Sequence, residues 1–87
     1  MHESSLMADL MRKIEAVALE NRAKKVLGVC VKLGALSHIS PDHFREHFDV
    51  ASRGTLAEGA QLKIETLADL NDPHAQEILL VSVEVAD

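Results

Sequence analysis

Aromatic side chains are nearly missing from this chain: among its 87 residues there is no tryptophan and no tyrosine, and Phe44 and Phe48 carry the only aromatic carbocycles. The core must therefore be aliphatic, and no platform exists on which nucleic-acid bases would stack. Basic excess is missing too: nine Lys and Arg face fourteen Asp and Glu, for a net charge of −5. That charge argues against a surface that neutralises phosphates, so no nucleic-acid partner is expected. The single cysteine, Cys30, allows no internal disulfide and no thiolate cluster. It reads as a small apolar filler. No apolar run is long enough to cross a bilayer, and no basic segment leads into a hydrophobic one at the start of the chain. The expectation is one small cytoplasmic domain without membrane contact, its size sufficient for independent folding without a wide margin.

What is present is periodicity. From Ser4 to about Ala23, Leu6, Leu10, Ile14 and Val17 recur at helical steps, widened by Met7, Met11 and Ala18, with Ser4 or Ser5 as the cap. Lys25–Leu33 alternates as a strand, with Leu27, Val29, Val31 and Leu33 on one face and Val26, Gly28, Cys30 and Lys32 on the other. Ser40-Pro41-Asp42 opens a second helix that runs to about Ser52 before Gly54, with Phe44, Phe48 and Ala51 on its apolar side. Gln61–Thr66 is a second strand, and Ile78–Val85 is a third, with Leu79, Val81, Val83 and Val85 on one face. Asn71-Asp72-Pro73 marks the loop between them. The expected class is α+β: two helices packed on one face of a three-stranded mixed sheet, in the order α-β-α-β-β.

Five histidines raise the question of metal. His43, Glu46 and His47 fit the inverted zinc-protease pattern H-x-x-E-H, which needs a third ligand and a substrate cleft that so short a chain hardly supplies. A solvated helix face, holding at most a weak zinc or nickel ion at His43/His47, is the plainer reading. His38 and His74 stand in turns without a partner at a diagnostic spacing. His2 differs, because its chemistry needs no fold. The terminal amine of Met1, the deprotonated amide nitrogen of His2 and its imidazole close adjacent chelate rings. The planar three-nitrogen set suits Ni(II) or Cu(II), Cu(II) more tightly. A fourth position stays open to Glu3 or to an acceptor.

The opening Met1-His2-Glu3, the block LGALSHISPDHFREHFDVASRGTLAEGAQLKIE and the closing strand ILLVSVEVAD together resemble the HypA/HybF family of nickel metallochaperones. Gly34, Leu36, Ser37, Pro41, Phe48, Gly54, Thr55, Ala60, Leu62 and Ile64 fit the family's block in order. The resemblance implies a protein that is not an enzyme and that delivers transiently bound Ni(II), with a nickel-pathway GTPase, to the large subunit of a nickel–iron hydrogenase; some relatives serve urease. It also implies nickel-site roles for His2 as key ligand, Met1 through its amine, and Glu3 as ligand or orienting neighbour.

One departure is large. Relatives carry a zinc domain with two C-x-x-C pairs between the second and last strands, whereas residues 67–77 here contain no cysteine. No structural zinc is expected. Residues 1–87 then form one nickel-binding-type domain, in which the two flanking strands join as an antiparallel hairpin. Two readings follow: a minimal nickel carrier, or a zinc-domain-less paralogue acting as an adaptor or regulatory module in hydrogenase assembly. The side of the sheet bearing Val26, Cys30, Ile78 and Leu80 is expected to pair two chains into a homodimer or to dock a partner.

Overall fold

The computed structural model describes residues 3–87. Its elements follow the expected order: α1 (Glu3–Glu20), β1 (Lys25–Leu33), α2 (Pro41–Ser52), β2 (Gln61–Thr66) and β3 (Ile78–Ala86). α1 lies over β1 and β3, α2 lies over β2, and the two helices touch. Met7, Leu10, Met11, Ile14 and Ala18 of α1 meet Phe44 and Phe48 of α2 over Val26, Val29, Val31 and Leu33 of β1. Leu6 and Val17 sit at the margin of the α1 stripe rather than at its centre.

α1 begins and ends earlier than its sequence pattern suggests. Ser4 and Ser5 fall inside the first turn instead of before it. At the other end the Ala23 amide donates to the Ala18 carbonyl (2.9 Å) and the Arg22 amide to that of Leu19 (3.0 Å). This pair of bonds is a Schellman closure, in which the residue at Arg22 must turn left-handed, at φ 52°. No glycine announces that turn, which is why the helix reads as continuing to Ala23. α2 is as expected: Ser40 caps it by accepting from the His43 amide at 3.1 Å.

The sheet order is β2-β1-β3, with β2 parallel and β3 antiparallel to the central β1. The expected β2–β3 hairpin does not form. β1-α2-β2 is a crossover unit, and a helix between two strands makes parallel neighbours natural. Residues 67–77 then carry the chain past the end of β1 to the far edge. The Leu67 amide donates to the Leu33 carbonyl (2.9 Å), the Gly34 amide to that of Glu77 (2.9 Å), and the Leu36 amide to that of Ala75 (2.6 Å). The crossing is tight enough that a Cβ on Gly34 would lie 2.2 Å from the Ala75 carbonyl oxygen.

Two irregularities reassign the strand faces. Between Val26 and Gly28 the β1 strand advances two residues against one on β3, and between Leu80 and Ser82 β3 advances two against one on β1. Leu27 and Val81 are the extra residues, and both are exposed. Each bulge flips the alternation. Val26 therefore joins Val29, Val31 and Leu33 in the core, and Ile78 and Leu80 join Val83 and Val85 against it. The apolar outer face expected from Val26, Cys30, Ile78 and Leu80 does not exist. Gly28, Cys30, Gln61, Lys63, Ser82 and Glu84 line the uncovered side instead, and they are largely polar.

Candidate metal centre

Of the residues singled out for nickel, Met1 and His2 lie outside the described residues, and Glu3 is the first residue of α1. One and two helical turns further, buried Met7 and Met11 line a groove between α1 and α2, together with Glu46 and His47. The beginning of α1 is thus held against α2 by its own apolar stripe.

On α2, Phe44 and Phe48 are buried and fix the rotation of the helix. Each follows a histidine, so His43 and His47 share the neighbouring strip, one turn apart. His43 is exposed and His47 half-buried. Their Nε2 atoms approach to 3.0 Å, with ring planes inclined at 71° and centroids 4.6 Å apart. At that distance one Nε2–H donates to the other's lone pair, which requires opposite tautomers. Among the described residues, no group of three or more His, Cys, Asp and Glu side chains is placed to hold a metal ion. The H-x-x-E-H segment therefore gains no third described ligand, and Glu46 stands beside a largely apolar groove.

His74 does have a partner. Its Nδ1 meets a carboxylate oxygen of Glu77. The Asp72 side chain accepts from the His74 amide at 2.7 Å, so Asp72-Pro73 starts a single turn that sets His74 and Glu77 on one side. The hydrogen bond to Glu77, and then its charge, raise the His74 pKa. Asp72-Pro73 carries the same start signal as Ser40-Pro41, and that signal was available in the sequence. On α1, the hydrogen bond from Lys13 is the main cause that holds the Asp9 carboxyl below its usual range, with Arg12 adding to it.

Residues 1–70 match the family model for hydrogenase/urease nickel incorporation, metallochaperone, hypA. The chain belongs to the HypA family. It is 43% identical over 67 residues to the hydrogenase maturation factor HypA of Desulfitobacterium hafniense strain DCB-2, a match that covers 77% of this chain and 59% of that one. With the HypA of Archaeoglobus fulgidus the identity is 44% over 64 residues, covering 74% and 58%. The chain thus spans under two thirds of the length of the curated HypA relatives it matches. The fold superposes on the solution structure of the Ni metallochaperone HypA from Helicobacter pylori with a TM-score of 0.81 at 22% identity, covering 99% of this chain and 98% of that one. A second HypA solution structure gives a TM-score of 0.74 at 21% identity, covering 98% and 96%. HypA proteins are metallochaperones.

Proposed function

We propose that this HypA-family chain is a nickel carrier for hydrogenase maturation, binding Ni(II) transiently through the Met1 amine, the His2 amide and imidazole, and Glu3. The observation that carries the proposal is the family match, which includes residues 1–3. The chemistry agrees with it. Three nitrogens in a plane hold a d8 ion firmly, while the fourth position is exchangeable, so the ion can leave by ligand substitution at an acceptor. Its partners are a nickel-pathway GTPase and the hydrogenase large subunit, and transfer takes place in the cytoplasm. Among the described residues, no helix is long and apolar enough to cross a membrane.

Residues 67–77 take the place of the zinc domain of longer relatives, leaving residues 1–87 as a single nickel-binding-type domain. Two features support this reading. The chain has one cysteine, too few for two C-x-x-C pairs. The loop is also stitched to the end of β1 by three backbone hydrogen bonds.

Adding one residue before Met1 tests the proposal, because it removes the amine from the chelate and leaves every side chain in place. The extended protein is expected to lose its tightest nickel. Undiminished tight binding in the extended protein overturns the terminal site. Absence of tight nickel binding in the folded parent itself favours the adaptor reading, and pull-down of the hydrogenase maturation machinery by metal-free protein then becomes the decisive assay.

A further inference from the structure

We infer that His43 and His47 form a second metal site on the exposed strip of α2, separate from the terminal chelate and suited to Ni(II) or Cu(II). Imidazole nitrogens bind these ions at about 2.0–2.1 Å, so two ligands at a tetrahedral angle stand about 3.3 Å apart. The 3.0 Å between the two Nε2 atoms subtends roughly 94° at a metal with such bond lengths. That is a cis pair in a square or octahedral arrangement, the preference of Cu(II) and Ni(II) rather than of structural zinc.

The pair is also built in advance. Phe44 and Phe48, each next to one of the histidines, are buried in the core and hold the strip in register. Ser40 and Pro41 define the helix start, so His43 lies in a capped, ordered turn. The two Nε2 atoms already stand at the separation of a cis pair, and metal entry displaces the proton between them. Both histidines then adopt the Nδ1–H tautomer, with each Nε2 lone pair on the ion. Only two protein ligands are needed, and water fills the remaining positions. A weaker, faster-exchanging ion than at a three-nitrogen chelate follows.

The groove of Met7 and Met11 flanks His47, and α1 starts one turn before Met7. A metal on α2 therefore lies beside the helix that carries the terminal motif. This placement suits a holding position for the same cargo, though the site stands without the terminal chelate.

The test uses the full chain with His2→Ala, titrated with NiCl2 by calorimetry, and the same protein carrying H43Q and H47Q. Circular dichroism verifies that both fold. Retention of one equivalent in His2→Ala, and its loss in the triple variant, is the expected result. Ni(II) with water in its outer positions is paramagnetic, so the ring protons of His43 and His47 should broaden first in the His2→Ala protein. Loss of all nickel in His2→Ala alone overturns the site. Binding that persists in the triple variant, or broadening centred on His38 or His74, overturns it equally. Because His2 is absent throughout, failure here leaves the terminal site untouched, and failure of the terminal site leaves this one untouched.

Discussion

Replacing Gly34 by alanine tests the crossing of the sheet end by residues 67–77. A Cβ at that position meets three backbone atoms: the Ala75 carbonyl oxygen at 2.2 Å, the Ala75 carbonyl carbon at 2.5 Å and the His74 carbonyl oxygen at 2.6 Å. None belongs to a flexible side chain, so the loop itself has to move by about 1 Å to restore ordinary contact. Such a shift strains the Gly34–Glu77 and Leu36–Ala75 hydrogen bonds. It also opens the site of Ala75, which is buried. At about 0.5–1.5 kcal/mol for each bond, plus partial exposure of a methyl group, the loss comes to about 2–3 kcal/mol. Against a typical stability of about 5–15 kcal/mol that is a large fraction. For a domain of this size it lowers Tm by roughly 10–20 °C. Urea unfolding followed by circular dichroism should show a midpoint lower by roughly 1–2 M with the slope unchanged. An unfolding free energy within about 0.5 kcal/mol of the parent would refute the crossing, because a loop that leaves room beside Gly34 cannot be the one described.

Four further outcomes follow from the same geometry. Arg22→Gly relieves a side chain from the left-handed conformation and should raise stability by about 0.5–1 kcal/mol, read as a higher urea midpoint; a lower midpoint would contradict the Schellman closure. Ser40→Ala removes the α2 cap and should cost about 1 kcal/mol in the same assay. Phe44→Ala, at a fully buried position, should cost about 3–5 kcal/mol and leave little folded protein at 37 °C. The His74–Glu77 pair gives a pH signature. Its folded-state pKa is raised, so its stabilisation is complete below the ordinary histidine value of 6.5 and disappears as pH climbs through the folded value. The urea midpoint of the parent should therefore decline above about pH 6.5 relative to that of Glu77→Gln, and parallel curves would show that the pair contributes nothing.

Element order, the capped start of α2 and the aliphatic core were all legible, because each rests on local periodicity or on one terminating residue. The strand faces were not. Strict alternation puts Leu27 inside and Val26 outside, and the bulge at Leu27 reverses both. Val81 does the same on β3, where alternation splits Leu80 from Val83 although both face the helices. A bulge leaves no mark in a stretch already rich in β-branched residues. The hairpin expectation failed for a related reason. Chain neighbours usually pair in space, but β1 and β2 are joined through a helix and already occupy the centre and one edge. β3 takes the open edge of β1 rather than that of β2, carried there by the loop of residues 67–77, which is hydrogen-bonded across the end of β1.

The site divides along the same line. The H-x-x-E-H spacing placed His43 and His47 one turn apart, while only the geometry brought their Nε2 atoms to 3.0 Å. Asn71-Asp72-Pro73 marks a loop in the sequence, yet Asp72-Pro73 is also a helical-turn start, and that turn brings His74 to Glu77. For Met1, His2 and Glu3 no periodicity argument applies: chelate chemistry made the motif plausible, and the family resemblance gave it weight.

Nickel titration of untagged protein carrying H43Q and H47Q, beside the same protein with His2→Ala added, decides whether the terminal motif holds the ion. With the α2 pair silenced, one equivalent of Ni(II), square-planar and diamagnetic, is expected in the first protein and none in the second. Equal binding in both, or none in the first while it remains folded, would contradict a carrier built on the terminal Met-His-Glu motif.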